Sequence, residues 1–260
     1  MKDINQISQY NREAWDTLVA RGDRWTIPVT SEVIAAARSG EWNIVLTPQL
    51  PVPKHWFPEL SGTDVLGLAS GGGQQAPILA AAGANVTVLD NSPGQLEQDQ
   101  VVARRDGLTI RSVLGDMRDL SCFESNCFDL VFNPCSVAFI PNIQPVLDEA
   151  FRVLRPGGRL MCGFINAVRY LFDEDELEKG NLVITHALPY ADHTHLSDEA
   201  QNKLRQNKEP FMFSHSLEDT IGGLLKAGFA LTEIYEDRGD RDRLSEFCPT
   251  FFATLATKPN

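Results

Sequence analysis

The stretch LGLASGGGQQAPILAAAGANVTVLD, Leu66 to Asp90, decides how the chain is read. An apolar run ends in Gly71, Gly72 and Gly73, and an alanine-rich segment follows them. A second, β-branched run closes on the carboxylate of Asp90. Strand, bare loop, helix and strand make a unit of a parallel sheet in which a nucleotide approaches the backbone more closely than side chains permit. An acid ending the second strand is placed to accept hydrogen bonds from both ribose hydroxyls. Two ligands satisfy that reading, a nicotinamide or flavin dinucleotide and S-adenosylmethionine. Gly71, Gly73 and Ala76 fit G-x-G-x-x-A, with Asp90 near the distance expected of a dinucleotide site. The triplet alone does not choose.

The same alternation continues downstream. TIRSVL, FDLVFN and RLMCGFI read as strands, while PGQLEQDQVVARRDG, with Pro93 in its first turn, reads as a helix. IQPVLDEAFRVLRPGG is an amphipathic helix stopped by Pro156 and Gly157. SLEDTIGGLLKAG adds a helix, and FALTEIYED and PTFFATLATK the last two strands. The expected architecture is α/β, a Rossmann-like doubly wound and mostly parallel sheet with a final antiparallel strand. Upstream, NREAWDTLVARGD is expected to be a helix burying Ala14, Trp15, Leu18 and Val19, and TSEVIAAARSGEW a second opening at Thr30 or Ser31. TPQLPVPKHWFPEL holds four prolines and reads as an extended connector. Residues 1–60 thus form a helical cap and connector, and residues 61–260 the sheet domain. An insertion at about 167–213 breaks the rhythm, and its apolar HALPY between polar flanks fits a lid closing on a small organic acceptor.

Composition excludes several classes. With 35 acidic against 23 basic residues, the net charge is −12 and no basic block offsets it, so phosphate-led nucleic-acid binding is not expected. The start MKDINQISQYNREAW lacks the apolar core of a signal peptide, and no run reaches the roughly 18 apolar residues of a membrane span. Five scattered cysteines, without CxxC or zinc-site spacing, fit reduced thiols in a cytoplasmic protein. His193 and His195 beside Asp192 sit on a polar loop and read as solvated surface, so no metal is expected.

Taken in order, these motifs resemble the class I S-adenosylmethionine-dependent methyltransferases, particularly the small-molecule group similar to the ubiquinone/menaquinone-biosynthesis enzymes. VLGLASGGG stands where that family has its first motif and VTVLDNSPGQLEQ resembles its second. GDMRDL, FDLVFNP and EAFRVLRPGGRL follow as similar segments. The resemblance implies S-adenosyl-L-methionine as cofactor. It places Ser70, Gly71, Gly72 and Gly73 along it, Asp90 and Asn91 at the ribose, Asp116 at the adenine amine and Met117 against the adenine face. The chain departs from the family where an acid and a glycine usually stand, at Gly67 and Ala69; Ser70 or Gln75 is expected to serve the cofactor's amino-acid end.

Methyl transfer from a sulfonium is an in-line displacement, so the protein chiefly aligns a nucleophile and excludes water. Asn133, with Pro134 and Phe139, is expected near the transferred methyl, and Asn133 toward both cofactor and acceptor. His186 and Tyr190 are read as the acceptor wall, a general base being helpful but not obligatory; His193, His195 and His215 are the other titratable candidates. Trp25 is expected to offer its ring to the sulfonium. Two other readings are a nicotinamide- or flavin-dependent oxidoreductase and a non-catalytic nucleotide-binding module.

Overall fold

Continuous apolar runs become the central strands, because a strand covered on both faces has no polar side to show. The computed structural model describes residues 4–240 and 243–260, so Met1 to Asp3 of the polar start lie outside the described residues. Its sheet comprises β1 (Asp64–Leu68), β2 (Asn85–Asp90), β3 (Ile110–Leu114), β4 (Phe128–Asn133), β5 (Leu154–Ile165), β6 (Ala230–Asp237) and β7 (Phe251–Thr257). Their order is 3-2-1-4-5-7-6. β1 to β5 run parallel, and β7 lies antiparallel between β5 and β6.

Side chains alternate between two cores. Leu66, Leu68, Leu89 and Val131 join the cluster containing Val146, Leu147 and Leu224, whereas Val65, Val88, Leu130 and Phe132 join Trp56, Leu79 and Leu96 on the other face. The helices that cover these faces include α3 (Gln75–Ala81), α4 (Pro93–Asp106), α5 (Gln144–Val153) and α9 (Gly223–Ala227). Crossovers leave β1 toward β2 on one side and β4 on the other, which opens a crevice at the carboxyl ends of these strands. α4 begins there because Ser92 caps it, its hydroxyl accepting from Gln95 N at 3.0 Å, with Pro93 in the first turn. Gly107 in the left-handed region ends it.

Some boundaries differ from the sequence reading. α5 stops at Val153 and β5 starts at Leu154, because the residue before Pro156 is pushed out of the helical region. The expected helix over 216–228 is a π turn, Glu218–Gly222, followed by α9. Within the proline-rich connector, Lys54–Trp56 makes a 3-10 turn that delivers Trp56 and Phe57 to the core.

The upstream helices are α1 (Ile4–Arg21) and α2 (Ser31–Arg38), and the insertion carries α6 (Glu174–Glu178), α7 (Asp192–His195) and α8 (Asp198–Asn207). α1 buries Ala14, while Trp15 packs its ring edge-on against Phe139, 5.0 Å between centroids. Asn11, on the same helix, is almost wholly buried. Its Nδ2 donates to the carbonyls of Phe139 and Phe211, and its Oδ1 accepts from Phe211 N at 2.8 Å. One side chain therefore joins α1, the turn after β4 and the end of the insertion.

Candidate functional site

The glycine loop spans the carboxyl end of β1 and the start of α3. Gly72 and Gly73 both lie at positive φ, +117° and +72°, and a Cβ on Gly72 would stand 2.8 Å from the Trp25 carbonyl oxygen. Ala69 also takes a left-handed φ, +47°, which a glycine at that position would adopt without strain. At Gly67 a Cβ would meet the Ser70 hydroxyl at 2.5 Å, so Ser70 occupies the space a side chain at position 67 would need. The Ser70 Oγ is buried with no hydrogen-bond partner.

Every N–H of the triplet is spent inside the protein. Gly71 N donates to Asp90 Oδ2 at 3.0 Å, Gly72 N to the Gln95 carbonyl at 3.0 Å, and Gly73 N to Asp99 Oδ1 at 3.0 Å. Asp90 also accepts from Ser92 N at 2.9 Å through Oδ1. A carboxylate offers about four lone-pair positions, so capacity remains for a further donor. Burial pushes the Asp90 carboxyl up to about 6 against the pull of those N–H groups. Burial, and then the Asp90 charge, hold the Asp99 carboxyl well above the usual range.

The cap lies on the outer side of this loop. Val29 N donates to the Gly73 carbonyl at 2.9 Å, and the Gln74 amide donates to the carbonyls of Arg24 and Ile27. The Trp25 ring is covered on one face by the Arg24 guanidinium, 4.2 Å from its centroid. Asp16 of α1 accepts from Ser92 Oγ and Gly94 N at the start of α4.

The adenine-side residues make other contacts. Asp116 accepts from the Arg118 backbone and guanidinium, with its Oδ2 at 2.9 Å from Ser8 Oγ of α1, and these donors hold its carboxyl below the usual range against the opposing effect of burial. Met117 is buried in the core beside Leu89 and Leu120. Asn91 points its amide at the Ser8 carbonyl, 3.5 Å away. An adenine amine reaches Asp116 only by taking a place now held by Ser8 or Arg118.

Among the residues expected near the acceptor, the Asn133 amide is fully buried and donates to the Leu68 carbonyl and Ser136 Oγ, both at 2.7 Å, tying the ends of β1 and β4 together. His186 and Tyr190 do come together, with ring centroids 4.8 Å apart, and Tyr170 stacks on Tyr190 at 5.5 Å. The Tyr190 hydroxyl donates to Asp192 Oδ1 at 2.7 Å, and burial lowers the proton affinity of the His186 imidazole. Backbone pairing links Tyr190 to Ser214 and Phe213 to Ala138, which sets this aromatic group beside the turn after β4. His215 is buried with Nε2 at 2.9 Å from the Val137 carbonyl. His195 stacks near Tyr190, and His193 near Phe213. A shallow groove lined by Arg38, Asn85, Thr109 and Phe128 opens at the opposite, amino ends of the strands.

Sequence reasoning passed over Asp99, Gln95, Asn11 and Asp16. Asp99 had a visible signal, since it falls between Leu96 and Val102 on the apolar stripe of α4.

The fold is that of the S-adenosylmethionine-dependent methyltransferases. A family described as "Methyltransferase domain" matches residues 66–162. The uncharacterized methyltransferase YbaJ of Bacillus subtilis is 48% identical over 255 residues, covering 98% of this chain and 100% of that protein. The chain belongs to this methyltransferase family. The ubiquinone/menaquinone biosynthesis C-methyltransferase of Zymomonas mobilis is 36% identical over 101 residues, 38% of this chain and 40% of that one. Among solved structures, the 1,6-didemethyltoxoflavin-N1-methyltransferase of Burkholderia thailandensis superposes with a TM-score of 0.61 at 15% identity, covering 100% of this chain and 92% of that one. Its structure holds 1,6-didemethyltoxoflavin and S-adenosylhomocysteine. At such identity the likeness is one of fold.

Proposed function

We propose that the chain transfers the methyl group of S-adenosylmethionine to a small organic acceptor. One observation carries the choice of cofactor. The three glycine N–H groups are committed to protein acceptors, two of them buried carboxylates. A dinucleotide needs such N–H groups free for its pyrophosphate and meets repulsion from the Asp90 carboxylate, which is ionised at neutral pH. S-Adenosylmethionine has no phosphate and carries positive charge, so the same loop suits it.

Bound there, the cofactor supplies an activated methyl on a sulfonium. Asp90 holds the ribose hydroxyls with its open lone pairs, and the unpartnered Ser70 hydroxyl serves the amino-acid end together with Gln75. Asn133 acts by fixing the strand ends from which the turn toward the acceptor departs. His186 and Tyr190 wall the acceptor. Burial favours neutral His186, which leaves a ring nitrogen able to take a proton from an acidic nucleophile. Residues 4–60 and the insertion form one cover, joined by Asn11, that sheds water from the displacement. A small-molecule acceptor agrees with the acceptor of the Burkholderia enzyme, and the free cysteines agree with a cytoplasmic protein. Among the described residues no helix is long and apolar enough to cross a membrane.

Incubating the protein with S-adenosylmethionine labelled in the methyl group and a fractionated cell extract tests the acceptor class. Label is expected in the low-mass fraction. Label confined to protein or nucleic acid overturns the small-molecule reading.

A further inference from the structure

We propose that Asp99 is a positioning residue of the cofactor site, setting a preference for the cationic methyl donor over its neutral thioether product. The inference rests on the cofactor proposed above and on the floor of the glycine loop. Asp99 has no exposed surface; Oδ1 holds the Gly73 N–H at 3.0 Å, and Oδ2 has no partner. Four residues earlier on the same helix face, Gln95 buries an Oε1 that also lacks a donor. The charged groups bearing on this floor are acids, Asp90 from β2 on Asp99 and Asp16 from α1 on Asp90. The Arg24 guanidinium of the cap is turned away to Asp240.

Buried anions without a cation are costly, and protonation is the usual relief. A proton on Asp99 Oδ2 would turn that orphaned acceptor into a donor, and Gln95 Oε1, one helical turn earlier, is the orphaned acceptor it would serve. Burial thus favours the protonated acid at Asp99 while the site lacks a cation. A sulfonium docked against the loop supplies the missing positive charge in a poorly screened setting. Asp99 then ionises, its proton leaving to solvent, and the carboxylate strengthens the hold on the donor. After transfer the cofactor is a thioether without that charge. The proton returns, and the product is held without that added attraction.

The experiment is calorimetric titration of wild type and Asp99→Asn with S-adenosylmethionine and with S-adenosylhomocysteine. It is run in two buffers of different ionisation enthalpy. Asn keeps the acceptor for Gly73 N and an N–H toward Gln95, so the fold should survive. The wild type is expected to prefer S-adenosylmethionine and to release a proton with it. In Asp99→Asn, affinity for the donor should fall about tenfold, the size of one charge-assisted contact, with the product's affinity within about twofold. The proton release should vanish. A purely structural role would weaken both ligands alike, and an equal loss or an unchanged ratio overturns the inference alone. Failure of the wild type to bind either ligand overturns the cofactor reading and this inference with it. If Asp99→Asn does not fold, Gln95→Met gives the reading. It removes the acceptor of the Asp99 proton, so proton release with the donor should shrink, and undiminished release overturns the proposal.

Discussion

Asp90→Ala is expected to weaken S-adenosylmethionine binding ten- to a hundredfold while the protein stays folded. Hydrogen bonds to a charged group contribute about 1.5–3 kcal/mol, and the open lone pairs of Asp90 are the ones offered to the ribose. The fold survives because two effects of the change oppose each other. Gly71 N and Ser92 N lose their acceptor, but the burial of an ionised carboxylate is relieved. With a folded value of about 6 against an ordinary 3.8, the net penalty on the ionised form, burial less those N–H bonds, amounts to about 3 kcal/mol at neutral pH. The sign follows from the raised value. The group favours the folded, empty protein below its unfolded value, and this contribution is lost as pH rises through about 6. Ligand binding runs the other way, since the ionised form accepts the ribose hydroxyls, so wild-type affinity should fall as pH drops through about 6. Titration calorimetry checks both. Unchanged affinity in folded Asp90→Ala, or a flat pH profile, places the ribose elsewhere.

The second large effect is expected at Asn11. Asn11→Ala strands the N–H and carbonyl of Phe211 and the carbonyl of Phe139, at a cost of about 3 kcal/mol. For a chain of this size the melting temperature should fall by roughly 6–12 °C. Because the same side chain fastens the insertion to α1, limited proteolysis should cut the variant faster between α7 and Phe211. A melting temperature within about 2 °C of wild type, with unaltered proteolysis, would show that other contacts hold the cover down.

The sheet was legible in the sequence because its strands are apolar runs of strand length bounded by glycine, proline and acids. Leu66 to Asp90 alone set two strands, the loop and the helix between them. Where local preferences competed, the reading slipped. Arg155 stands before Pro156, and that steric restriction moved the end of α5 inward. For the candidate site the sequence named positions and left their contacts unread. Asp90 does face the loop, yet nothing local told that Asn133 turns inward to Leu68 or that Arg118 and Ser8 engage Asp116. Asn11 and Phe211 stand 200 residues apart, and no periodicity reports such a pair. Asp99 was the readable omission, a carboxylate on the core-facing stripe of a helix.

The central claim is that the glycine loop serves a cationic sulfonium cofactor and its product rather than a dinucleotide. Thermal unfolding of the wild type with each ligand in excess tests it most directly. S-Adenosylhomocysteine at a hundred times its dissociation constant should add about 2.7 kcal/mol and raise the melting temperature by roughly 5–10 °C. NAD and FAD should leave it unchanged. A shift with NAD or FAD and none with S-adenosylhomocysteine would contradict the account.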